Sequence, residues 1–187
     1  MKKICVFCGS SRGHNSLYSE YAKKLGELLV QYSIDLVYGG GDIGLMGIIS
    51  RTVLENGGHV TGIIPRLLHE KVPHTKLSEL FIVENMHERK ALMYNLSDGF
   101  ICLPGGIGSL EEMFEAFTWL QLGYHNKPVS LININGYYNH LIKQLEMMVN
   151  EGFMKKGHFN SLIIKDDFNG IIEDMKSLPV KTEDKWS

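Results

Sequence analysis

Short apolar runs alternate along this chain with longer segments whose apolar positions recur every three or four residues. The runs "KICVFCG", "DLVYGGG", "HVTGIIP", "LFIVE", "GFICLPG", "PVSLININ" and "SLIIK" read as strands, because each is brief and bounded by turn-forming residues. Between them "SLYSEYAKKLGELLVQY", "GLMGIISRTVLENG", "MHERKALMYNLS", "PGGIGSLEEMFEAFTWLQLG", "YYNHLIKQLEMMVNEG" and "FNGIIEDMK" carry a helical period. In the first of these helices Leu17, Tyr21, Leu25 and Leu28 predict the stripe that meets the sheet. Strands and helices in strict alternation predict βαβ units, and hence a doubly wound α/β domain with a parallel sheet covered on both faces. We expect one domain over residues 1–178, followed by a frayed tail over 179–187. "PRLLHEKVPHTKLSE" is the longest irregular connection and is expected to form a flap.

In an open α/β sheet ligands gather outside the carboxyl ends of the strands, so the residues directly after each apolar run carry the most information. Three such turns are rich in glycine: "CGSSRG" (Cys8 to Gly13), "YGGGDIGLMG" (Tyr38 to Gly47) and "LPGGIGS" (Leu103 to Ser109). Each leads into a helix, where free backbone N–H groups and close backbone approach suit a phosphate. Glycine also suits any tight turn, but three together favour a nucleotide-like anion. Gly39 to Gly44 fit G-x-G-x-x-G as well. The acidic residue that a dinucleotide site wants at the end of the next strand is absent, because "HVTGIIPR" ends in Pro65 and Arg66.

Ser109 and Glu112 have the S-x-x-E spacing of a capping box, in which Ser109 starts the helix and Glu112 either reaches back to it or faces forward to a bound ribose, the alternative that Arg89 and the other glycine turns favour. A helical wheel puts Leu110, Met113, Phe114, Phe117 and Leu120 on the sheet face, with Glu112, Ala116 and Trp119 opposite. A tryptophan on the far face implies that this face is covered too, and a covered carboxylate calls for a nearby cation. The candidate is Arg89, at the start of the preceding helix. It would pair with Glu112 or hold a phosphate against it; the plainer alternative is a solvated helix arginine.

Composition narrows the classes. The 187 residues are 44% apolar, enough for one substantial core. With 19 basic and 21 acidic residues, no basic footprint for nucleic acid or an anionic membrane is present, and a small-molecule partner is expected. The amino-terminal apolar run is too short for a signal sequence and no later stretch reaches membrane-span length, which predicts a cytoplasmic protein. Cys5, Cys8 and Cys102 sit in or beside strands as expected reduced, buried thiols, since Cys5 and Cys8 would point to opposite faces of one strand. Eight histidines without metal-ligand spacing imply no metal.

"PGGIGSLEE" resembles the P-G-G-x-G-T-x-x-E signature of the LONELY GUY (LOG) family, cytokinin riboside 5'-monophosphate phosphoribohydrolases often labelled as lysine decarboxylases. "CVFCGSS", "LVYGGGDIGLMG", "MHERKALM", "SDGFICLPGG" and "WLQLGYHNKPVSLININGYY" are similar to family segments in the same order, so the resemblance spans about residues 3 to 165. It implies a Rossmann-like fold, a homodimer, no cofactor, and hydrolysis of a nucleoside 5'-monophosphate to free base and ribose 5-phosphate. Carried over, the essential pair falls on Arg89 and Glu112. The nucleotide contacts fall on Lys90, the turn Gly105, Gly106, Ile107, Gly108, Ser109, Leu110 and Glu111, on Thr118, and on Ser10, Gly40 and Gly41. The motif threonine is Ser109 here, and the chain reads Glu70 then Lys71 where the family often has Lys-Glu, which leaves the base contact open between those two residues. Trp119 fits a dimer contact or an exposed surface aromatic. A non-catalytic nucleotide or phosphorylated-cofactor binding protein and an NAD(P)-dependent enzyme are the competing readings; no lysine is assignable to a pyridoxal Schiff base.

Overall fold

Seven strands, β1 (Lys3–Phe7), β2 (Asp35–Tyr38), β3 (Val60–Pro65), β4 (Glu79–Val83), β5 (Gly99–Cys102), β6 (Val129–Ile132) and β7 (Leu162–Lys165), form one sheet in the order β4-β3-β2-β1-β5-β6-β7. Every pairing is parallel. The structure is a computed structural model and describes residues 1–71 and 76–177; part of the expected flap and the expected tail therefore lie outside the described residues. The helices are α1 (Ser16–Gln31), α2 (Gly44–Glu55), α3 (Arg66–His69), α4 (Met86–Leu96), α5 (Ile107–Gln121), α6 (Asn139–Asn150), α7 (Lys156–Asn160) and α8 (Ile171–Ser177). The short α3 and α7, and a single 3-10 turn at Ile134–Gly136, interrupt segments that the hydrophobic pattern reads as connection or strand.

Strands β1, β2, β3, β5 and β6 are buried over nearly their whole length, which is why they read as continuous apolar runs, whereas the edge strand β4 is mostly half-exposed. Alternate residues of β1 feed two separate cores. Ile4 and Val6 join the layer that holds Leu25, Ile49 and Ile172, from α1, α2 and α8. Cys5 and Phe7 join the other, with Met93, Phe117 and Leu145 from α4, α5 and α6. Cys5 and Cys8 thus face opposite layers, and all three cysteines are free and buried. Burial pushes the Cys102 thiol up to about 12, far from a reactive thiolate.

The buried stripe of α1 is Ala22, Leu25, Gly26 and Leu29, so of the expected stripe only Leu25 is central, and Leu17, Tyr21 and Leu28 flank it. The reason is that α1 also packs on α2. A Cβ on Gly26 would lie 2.9 Å from two side-chain carbons of Thr52 and 3.3 Å from the Ile49 carbonyl, so small residues line the crossing. Gly26→Leu is expected to force these helices apart and to lower the unfolding free energy by about 1–3 kcal/mol. An unchanged urea midpoint would show that the two backbones do not meet there.

Candidate functional site

The strand order reverses direction at β1, so the carboxyl ends of β1 and β5 open the crevice in which α/β sheets hold ligands. The turns after β1, β2 and β5 meet at this place. The Gly9 N–H donates to the Pro104 carbonyl at 3.1 Å, and the Leu45 N–H donates to the Gly9 carbonyl at 2.9 Å. A Cβ on Gly9 would fall 2.9 Å from the Ser11 carbonyl, and one on Gly105 would strike the Ser109 hydroxyl, so glycine is what allows the turns to touch. A cleft of about 250 Å³ remains, walled by Ser10, Arg12, Tyr18, Gly105, Gly106 and Tyr137 among others.

Helix α5 starts at Ile107 with extended Gly106 as its N-cap, and no side chain caps this end. The expected capping box therefore does not form. Ser109 lies within the first turn, and Glu112 accepts a hydrogen bond from Arg89 rather than reaching back. Gly106 explains the difference, because it takes the N-cap conformation without a side chain and lets the helix begin ahead of Ser109. The first-turn N–H groups are left directed out of the helix end, beside the cleft, where the helix dipole favours an anion.

The helical wheel also requires correction. Ser109, Glu112, Met113, Ala116, Phe117 and Leu120 form the buried face of α5, so Glu112 and Ala116 share the side of Met113 and Phe117. Leu110 and Phe114 flank that face, and Trp119 is half-buried edge-on against Tyr94, with ring centroids 5.1 Å apart. Glu112 is accommodated there because α4 presents Arg89 to it. The two side chains are 11% and 8% exposed, and an Arg89 guanidinium nitrogen donates to Glu112 Oε1. Arg89 Nε donates to the Ile63 carbonyl at 3.1 Å, and a Cβ on Gly39 would collide with the guanidinium. Arg89 thus fills the space at Gly39 that a dinucleotide would need for close backbone approach, which tells against that reading of Gly39 to Gly44. Burial pushes the Glu112 carboxyl above the usual glutamate range while Arg89 pulls it down.

Around this pair is a polar bridge that the sequence did not reveal. Lys90 Nζ donates to Glu111 Oε1 and, at 3.0 Å, to Glu115 Oε1. The Tyr94 hydroxyl donates to Glu115 Oε2 at 2.7 Å. Burial works against the Lys90 charge, but its two carboxylate partners outweigh it and raise its pKa.

The other expected contacts separate into groups. Ser10, Gly105 and Gly106 line the cleft, Ile107 and Gly108 are exposed beside it, and Ser109 is buried beneath. Gly40 and Gly41 are buried in the turn after β2; Gly40, at φ +77°, packs on Ile63 and Ile64. Thr118 is exposed about three helical turns beyond the start of α5 and does not line the cleft. Tyr18 and Tyr137 line the cleft without having been expected among its contacts, and Gly39 of the second glycine turn makes room for the Arg89 guanidinium. For Tyr137 the available signal was its place beyond a strand at the sheet's carboxyl edge.

A family profile described as "Possible lysine decarboxylase" matches residues 46–175. The Arabidopsis thaliana protein named cytokinin riboside 5'-monophosphate phosphoribohydrolase LOG5 is 46% identical over 177 residues, covering 94% of this chain and 78% of that one. LOG3 of the same plant, of the same description, is 52% identical over 154 residues, 82% and 72% of the two chains. The chain belongs to the LOG family. The solved molybdenum cofactor binding protein of Rippkaea orientalis (TM-score 0.71, 22% identity, 95% and 97% covered) and the molybdenum cofactor carrier protein of Chlamydomonas reinhardtii (0.69, 17%, 94% and 96%) share the fold, and identities this low speak for the fold alone. In this LOG-family chain the decarboxylase description gains nothing from Lys90, whose raised pKa is the reverse of what a Schiff-base lysine needs.

Arg89→Met leaves the Glu112 carboxylate buried without its cation and is expected to lower stability by about 3–5 kcal/mol at neutral pH. A carboxyl whose folded-state pKa is raised is stabilising while protonated and loses that contribution as pH rises through the raised value. The defect should therefore shrink toward pH 5, as compared by urea unfolding at the two pH values. An equal defect at both would show that Glu112 is not the group left stranded.

Proposed function

We propose that this protein hydrolyses the N-glycosidic bond of a nucleoside 5'-monophosphate, either a cytokinin riboside 5'-monophosphate or AMP, releasing free base and ribose 5-phosphate. The observation that carries the reading is the buried Arg89–Glu112 pair one helical turn beyond the glycine-flanked start of α5. Relatives 46% and 52% identical, named phosphoribohydrolases, supply its chemical direction.

In this reading the turn from Gly105 to Glu111 receives the 5'-phosphate on the first-turn N–H groups, with Ser10 across the cleft. Glycosidic cleavage passes through an oxocarbenium-like state, and Glu112, ionised and poorly hydrated, stabilises that positive charge, orders the ribose hydroxyls or deprotonates the attacking water. Arg89 holds the carboxylate in place and offsets the charge of carboxylate and phosphate brought together. The water's hydroxyl ends on the anomeric carbon and its proton on the departing base, so no redox partner or cofactor is consumed.

The working unit is a homodimer in this reading. Trp119, Tyr94 and the 75% exposed Tyr124 line a groove of about 510 Å³ that suits a second copy, and a sedimentation profile showing only monomer at micromolar concentration would remove this element. A cytoplasmic location suits the three free thiols, and no described helix is long and apolar enough to cross a membrane.

Incubation with AMP and with an N6-isopentenyl AMP is expected to release base and ribose 5-phosphate, and Glu112→Gln to lower turnover at least about a hundredfold. Binding without base release would favour the non-catalytic alternative. Because burial raises the Glu112 pKa and the ionised form is the active one, turnover should fall on the acid side with a midpoint above the ordinary glutamate value of about 4.3. A kcat profile flat to pH 4.5 would contradict the role given to Glu112.

A further inference from the structure

The cleft has one wall that no phosphate motif supplies. After β6 the chain turns through Asn135 and Gly136, both left-handed at φ 52° and +71°, and delivers two adjacent tyrosines to the turn after β5. The Tyr138 hydroxyl is buried and donates to the Leu103 carbonyl at 2.7 Å; the Tyr137 hydroxyl donates to the Gly105 carbonyl at 2.7 Å. The placement is itself braced. The Asn133 side chain accepts the Tyr138 N–H at 2.7 Å and donates to Asn139 at 2.9 Å and to Asp166 at 3.1 Å. The Tyr137 ring meets Tyr138 edge-on at 4.8 Å and Tyr18 at 5.5 Å, and both Tyr18 and Tyr137 line the cleft.

From this we propose that Tyr137 is a positioning residue for phosphate recognition, acting through the Gly105–Gly106 peptide; the proposal rests on the nucleotide reading of the site. Gly105 and Gly106 are consecutive glycines, so no side chain on either side restricts the peptide between them. The peptide that joins it to Gly106 is planar, so holding the Gly105 carbonyl fixes the Gly106 N–H in the opposite direction. A carbonyl free to rotate would at times face an incoming anion and repel it. The Tyr137 hydroxyl occupies that oxygen and keeps the peptide in one orientation ahead of binding, and preorganisation of this kind is read out as affinity. Tyr138 grips the same turn two residues earlier, so Tyr137 controls the peptide that leads into the N-cap residue Gly106.

Tyr137→Phe keeps both ring contacts and removes only the hydroxyl. In the full-length protein the expected result is a KM for AMP raised about five- to tenfold with kcat within about twofold, the size of one hydrogen bond lost. Ribose 5-phosphate, titrated directly by calorimetry, should bind more weakly by the same factor, while free adenine as an inhibitor should be unaffected. Tyr32→Phe, which removes a tyrosine hydroxyl that donates to Glu173 at the far end of α1, away from the cleft, should leave ribose 5-phosphate affinity unchanged. Unchanged KM and ribose 5-phosphate affinity in Tyr137→Phe, or an equal loss in Tyr32→Phe, would overturn the proposal while leaving the activity intact. Wild-type protein that binds ribose 5-phosphate through Tyr137 but releases no base would instead overturn the enzymatic reading alone. Wild-type protein that binds no ribose 5-phosphate overturns both.

Discussion

A guanidinium and a carboxylate held together between α4 and α5, almost out of reach of water, set the constraint that the surrounding structure obeys. Removing both charges from solvent costs several kcal/mol per ion before their attraction returns anything, and an apolar pair of similar volume would serve stability as well or better. The arrangement survives because neighbouring groups complete it. The Ile63 carbonyl accepts from Arg89, Gly39 leaves room for the guanidinium, and Lys90 with Tyr94 anchors the other two acidic residues of α5, Glu111 and Glu115. A fold that accepts such a cost in one place, beside a crevice, fits chemistry better than structural support.

The rest of the molecule makes that placement rigid. Central strands buried on both faces give two cores that share one sheet, so the carboxyl edge cannot shift without disturbing both. Onto this edge the topology delivers three glycine turns and the tyrosine pair after β6. The turns touch through backbone hydrogen bonds that side chains would have blocked, and the aromatic wall fixes the one that leads into α5. Rigid strands thus hold a cleft at which glycine turns meet, and their close contact explains why glycines dominate the motif.

Most of the architecture is legible in the order of apolar runs and turn formers along the chain. All seven strands lie where short apolar runs sit between turn formers, because a buried parallel strand is defined by local composition and by a turn at each end. The glycine turns were legible for the same reason; the expectation of a cation near Glu112 was met by Arg89, although it started from a helical wheel that put Glu112 on the opposite face. Resemblance to a family supplied the substrate class, which periodicity does not contain.

Three features were decided by tertiary structure. Helix α5 begins at Ile107 with Gly106 rather than Ser109 as its N-cap, in a turn held by Gly9 and Tyr137 through Pro104 and Gly105. Glu112 lies on the buried side because α4 turns Arg89 and Lys90 inward with Met93 and Tyr94, a stripe of two charges and two apolar residues that no hydrophobic period announces. Tyr137 gained its place from two left-handed residues and a crossing of the sheet. The sequence by itself determined the elements, their order and the candidate charges, since those depend on neighbours along the chain; which charges meet, and on which face, depended on neighbours in space.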